Sequence, residues 1–156
     1  MLLPLSFFPL YTAHAMALEV AAAVIGILAA AGKVAEILGP FVSAFKHAPQ
    51  HSQTILTEVK TVRAVLISLQ TVFDDLNTTP RRRKELIQVD LLQATLTDGV
   101  LVFSELEALV NGLGDPTSAT SNRVRWARKI GEMESLSTRL QTFKSSMGLM
   151  LHLLRW

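Results

Sequence analysis

Apolar residues along this chain return at alternating steps of three and four, the spacing that lays one stripe along an α-helix, and no stretch sustains the two-residue alternation of a strand. Four segments carry the pattern. The first runs from about Met16 to Leu38 with Val20, Val24, Ile27, Ala31, Val34 and Leu38 in line. Gly39-Pro40 interrupts it, because proline lacks the amide donor a helix interior needs, and a short extra helix from Phe41 to His47 is expected before Pro49. The second segment, Gln50 to Leu76, has an unslipped seam of Ile55, Val59, Val62, Leu66, Leu69, Phe73 and Leu76. The third follows the basic run at 81–84 and carries Val89, Leu92, Leu96, Gly99, Phe103, Leu106, Val110 and Leu113, with Gly112 and Gly114 marking its end. After a small, polar linker "DPTSATSN" at 115–122, the fourth runs from about Arg123 to the end, with Trp126, Ile130, Met133, Leu136, Leu140, Phe143, Met147, Met150 and Leu154 on its inner face. The pattern predicts an all-α protein, an up-and-down four-helix bundle with antiparallel neighbours and a loose N-terminal extension.

The first segment breaks the rule the others obey. From Val20 to Gly32 it is apolar on every side, so a helix there is expected to be buried all round or to meet lipid. Those residues fall short of the ~20 that a spanning helix needs, and Glu19 and Lys33 bracket them. Ala22, Gly26 and Ala30 place small residues at four-residue spacing, a candidate face for close helix association.

The opening "MLLPLSFFPLYTAHA" divides the chain into residues 1–15, an extension or signal peptide, and a helical domain over 16–156. Leu2 to Leu10 is apolar and Ala13-His14-Ala15 has the form of a cleavage site, but no cation precedes it and Pro4 and Pro9 interrupt it. A start at Met16 is the expectation, with secretion after cleavage behind Ala15 and membrane anchoring as alternatives.

Composition narrows the chemistry. The chain has 156 residues, 49% hydrophobic and 18% charged, enough for one domain with its own core. A formal net charge of +2 and one Tyr with two Trp give neither the basic surface nor the stacking ladder of a nucleic-acid binder. With no cysteine there is no disulfide, thiolate metal site or cysteine nucleophile, which suits the cytoplasm. His47 and His51 flank Pro49 and lack a carboxylate partner set, so no metal site is expected. Asp74-Asp75 and Glu105-x-Glu107 sit one and two residues apart on helices and point different ways, so neither pair converges on a substrate. Ser145-Ser146 has no nucleophile elbow around it, and His152 reads as a surface or core-edge imidazole. An enzyme, a cofactor and a small-molecule substrate are therefore not expected. Two basic clusters remain: Arg81, Arg82, Arg83 and Lys84 at one helix junction, and Arg123, Arg125, Arg128 and Lys129 at the start of the last helix. Cations at helix N-termini oppose the macrodipole, and clusters of this size suit an anionic membrane surface or an acidic partner.

The stretches "MALEVAAAVIGILAAAGKVAEIL", "FVSAFKHAPQHSQTILTEVKTVRAVLISLQ" and "RVRWARKIGEMESLSTRLQTFKSSMGLMLHLL" together resemble the fungal N-terminal domain of STAND proteins, also described as the azaphilone pigments biosynthesis cluster protein L N-terminal domain. The chain is also similar to HeLo-like helical domains. The matching features are the small-residue first helix, the Ala48-Pro49 corner before Glu58, Leu66 and Leu69, and the tail pattern of Trp126, Leu136, Leu140, Lys144, Ser145, Ser146, Leu149 and Leu151, over about residues 16 to 155. The resemblance implies a non-enzymatic signalling module at the front of nucleotide-binding or repeat proteins, acting by self-association or by binding another helical domain, at membranes in regulated cell death. The chain itself holds no GxxxxGK[ST] phosphate loop, so a nucleotide switch would lie elsewhere. A cytoplasmic location, peripheral at a membrane, is the expectation, with a secreted helical effector as the alternative.

Overall fold

A computed structural model describes residues 8–44, 50–76, 89–113 and 119–155. The described residues are helical apart from a turn at 112–113, in four elements: α1 (Phe8–Ala44), α2 (Gln50–Leu76), α3 (Val89–Asn111) and α4 (Ala119–Arg155). The stripes read from spacing are the core. Val20 through Leu38 on α1, Ile55 through Leu69 on α2, Leu92 through Leu113 on α3 and Trp126 through Met147 on α4 bury their apolar members in one cluster. Exposed threonines along α2, α3 and α4 return their hydroxyls to the carbonyl four residues back, as Thr57 does to Gln53 at 2.9 Å, which satisfies them without interrupting the helix.

Cross-helix pairs set the directions. Gln93 Nε2 donates to Glu19 at 2.7 Å and Lys33 Nζ pairs with Glu107 at 2.5 Å, so α1 and α3 run parallel in one constant register. His51 lies 3.4 Å from Glu134 and Lys144 2.6 Å from Glu58, so α2 and α4 are parallel as well. Arg139 on Glu105, and Phe143 edge-on to Phe103 with centroids 6.4 Å apart, make α3 and α4 antiparallel. The chain thus runs up, down, up, down. Around the bundle, however, α1 packs on α2 and α3, and α4 on α2 and α3, so consecutive α2 and α3 occupy a diagonal. Short links favour neighbours; the stretch from 77 to 88 is long enough to join helices that are not.

Three sequence expectations change. First, α1 continues through Gly39 and Pro40 to Ala44, so the short extra helix at Phe41 is part of α1. The reason lies in packing: Phe41 is buried and stacks on Trp126, and Ser43 Oγ donates to the Gly39 carbonyl at 2.9 Å. Second, α1 begins at Phe8 and α4 at Ala119, so 8–15 and 119–122 are helical where a loose extension and a linker were expected. Pro9 sits in the first turn, where its missing amide costs nothing, and low propensity in "ATSN" is a weak prior against helix extension.

The third correction concerns α1. It is not buried on every side: Leu18 is 63% exposed and Ile25 58%, and Ala21, Ala22, Gly26 and Ala29 are exposed with them. A helix at the corner of a four-helix bundle has two neighbours and one inward stripe, so its fourth side faces outward whatever its composition.

Candidate functional site

The outward side of α1 is the one surface where the sequence departs from what a solvated bundle helix requires. Along it stand Leu18, Ala22, Ile25 and Ala29, with Ala21 toward α2 and Gly26 toward α3. A β-carbon built on Gly26 would meet nothing within 4 Å, so the position is an open notch in the surface. The constant register between α1 and α3 puts Gly26 level with Val100, which is itself exposed, and Glu19–Gln93 and Lys33–Glu107 close the seam seven residues to either side. Leu101, 52% exposed, extends the apolar surface onto α3. The result is an apolar window framed by one acidic and one basic end. By length and composition alone, the stretch Leu18–Ser43 of α1 would also cross a membrane, with a mean hydropathy of 1.9.

The association face read from spacing is brought together only in part. Ala22 and Gly26 are exposed, whereas Ala30 is half-buried and packs against the core between α1 and α3. Ala29 takes its place on the open side. The four-residue step rotates by 40° more than a full turn, so a stripe of three such steps slides off one face toward the next. Ile25, the largest side chain of the window, has no small-residue signature and is visible only once the buried stripe is known.

Of the basic clusters, Arg81, Arg82, Arg83 and Lys84 lie outside the described residues. Arg123, Arg125, Arg128 and Lys129 all lie on α4. Arg125 and Arg128 are exposed, and Lys129 binds Glu132 one turn on at 2.9 Å, so that end is already partly neutralised. Glu105 and Glu107 turn to opposite sides of α3, one to Arg139 on α4 and one to Lys33 on α1, which disposes of them as a pair. His51 faces Glu134, while His47 and Asp75's side chain lie outside the described residues. Among the described residues no three His, Asp or Glu side chains converge on a metal-sized site.

A shallow groove of about 550 Å³ runs between α3 and α4. Its floor is Leu109 and Leu136, and its rim carries Glu105, Lys129 and Glu132. Each rim charge is paired, Glu105 with Arg139 and Lys129 with Glu132, leaving no unneutralised group to fix a ligand. Comparison of the chain with protein-family models, curated proteins and solved structures finds no match.

Proposed function

We propose that this chain is a non-enzymatic helical interaction module, of the kind its resemblance to fungal STAND N-terminal domains implies, and that it binds other protein helices through the open side of α1. The observation that supports this is the exposure of Leu18 and Ile25, at 63% and 58%, on a helix that has no polar side chain from Val20 to Gly32. Isolated exposed aliphatics are ordinary, but contiguous apolar surface framed by charge marks an interaction site. Ala22, Gly26 and Ala29 let a second helix approach closely, and Ile25 supplies the contact area. The module works in the cytoplasm or at a membrane surface, with Arg125 and Arg128 available to orient it.

The test is a comparison of complexes formed by the full chain in cells and resolved by size after gentle lysis. Ile25→Lys places a charge in the window, and Val124→Lys places one at an exposed position on α4. Loss of the complexes with the first variant and retention with the second is the expected result. Complexes that persist with Ile25→Lys would remove the reading.

A further inference from the structure

We infer that the occupant of this window is a second copy of the same chain, with the two α1 helices antiparallel and crossing between Ile25 and Gly26. The inference rests on the interaction reading above and adds the identity and geometry of the partner. A two-fold contact requires a patch complementary to itself. The open side of α1 meets that condition in shape and in charge.

In shape, the window holds one projecting side chain beside one vacancy. Ile25 is 58% exposed, and the adjacent Gly26 has open space where a β-carbon would stand. A two-fold axis between them seats Ile25 of each copy over Gly26 of the other. The same axis sets Ala22 against Ala29 of the second copy, so small residues meet small residues where the backbones pass closest.

In charge, Glu19 and Lys33 lie equally far from Gly26, on the same α3-facing side of the helix. An antiparallel crossing brings Glu19 of one copy to Lys33 of the other at both ends of the contact. It also lays the Lys33 stem over Leu18. A parallel pairing in the same register would instead stack Glu19 on Glu19, Lys33 on Lys33 and Ile25 on Ile25, leaving the Gly26 notches unfilled.

A lipid surface is the weaker match. An interfacial helix combines bulky apolar residues on one face with several Lys or Arg on the other. The window is mostly Ala and Gly, and α1 carries one cation, Lys33, against Glu19 and Glu36.

The chain contains no cysteine, so an introduced thiol is the only one present. The purified full chain is examined by sedimentation, and Ala22→Cys and Ala29→Cys variants are mixed under mild oxidation. Expected are a dimer and disulfides between the two variants in preference to same-variant disulfides. Gly26→Leu fills the notch with no clash in the monomer, so its melting temperature should hold while self-association weakens about thirtyfold, the size of a central interface contact. Same-variant disulfides in a dimer would overturn the antiparallel geometry. A chain that stays monomeric while Ile25→Lys still dissolves complexes from cells overturns the second-copy assignment alone; if those complexes survive as well, the interaction reading falls with it. Monomer that floats with phosphatidylcholine–phosphatidylserine vesicles in an Ile25-dependent manner would overturn the inference in favour of lipid.

Discussion

Trp126 lies flat against Phe41, their ring centroids 4.9 Å apart and their planes within 21°. The two residues belong to α4 and α1, helices on the other diagonal of the bundle, and their stack closes one end of the core. It also explains why α1 runs on past Pro40: the last turn of the helix is held by what Phe41 buries. The stack carries a local cost, because the indole Nε1 of Trp126 is buried without a hydrogen-bond partner.

That unpaired N–H separates two substitutions at one site. Trp126→Ala removes a buried aromatic side chain and should cost ~3–5 kcal/mol. Trp126→Phe loses part of the ring but also the uncompensated donor, whose burial is worth ~1–3 kcal/mol, so it should leave stability within about 1 kcal/mol of the parent. Urea unfolding of both variants measures the difference, and a Trp126→Phe loss as large as that of Trp126→Ala would show that the N–H is satisfied in solution.

Gly99 should resist the change that usually stabilises a helix. Alanine gains ~0.5–1 kcal/mol over glycine in a helix interior. Here its methyl would overlap the Phe143 ring and come within 3.0 Å of Ile27 Cδ1, and Phe143 is held edge-on by Phe103. Overpacking of this kind costs ~1–3 kcal/mol, so Gly99→Ala should be net destabilising by about 1–2 kcal/mol. Phe143→Leu should relieve the overlap, and a double-mutant cycle should show a favourable coupling between the two changes. Additivity would mean that α3 and α4 stand farther apart.

Pro40 offers the opposite case. It is exposed, and as a proline inside α1 it denies the Glu36 carbonyl its donor. Pro40→Ala restores that bond at a gain of ~3 kcal/mol in helix preference, offset by ~1 kcal/mol from a freer unfolded chain, for a net gain of about 2 kcal/mol. Thermal and urea unfolding read it directly. A loss of stability would show that the proline's bend is what delivers Phe41 to Trp126.

The periodic placement of apolar residues determined, by itself, that the chain is all-α, which helices form, and which side of each enters the core. Spacing carries that information because one stripe must be hidden whatever the helices pack against, and every described residue of the α2 seam from Ile55 to Leu69 is buried as its position requires. Only the tertiary structure decided three further matters. It carried α1 through Gly39-Pro40, where burial of Phe41 outweighs a missing amide bond. It made α1 and α3 parallel neighbours, a choice that rests on pairs such as Lys33 with Glu107 and Glu19 with Gln93, too distant along the chain for local spacing to register. It also turned one side of α1 outward, because only two of the other three helices flank it. Composition shows that α1 is apolar all round; which of its sides stays open, and so that Ile25 stands beside an unfilled Gly26, follows only from where its neighbours are.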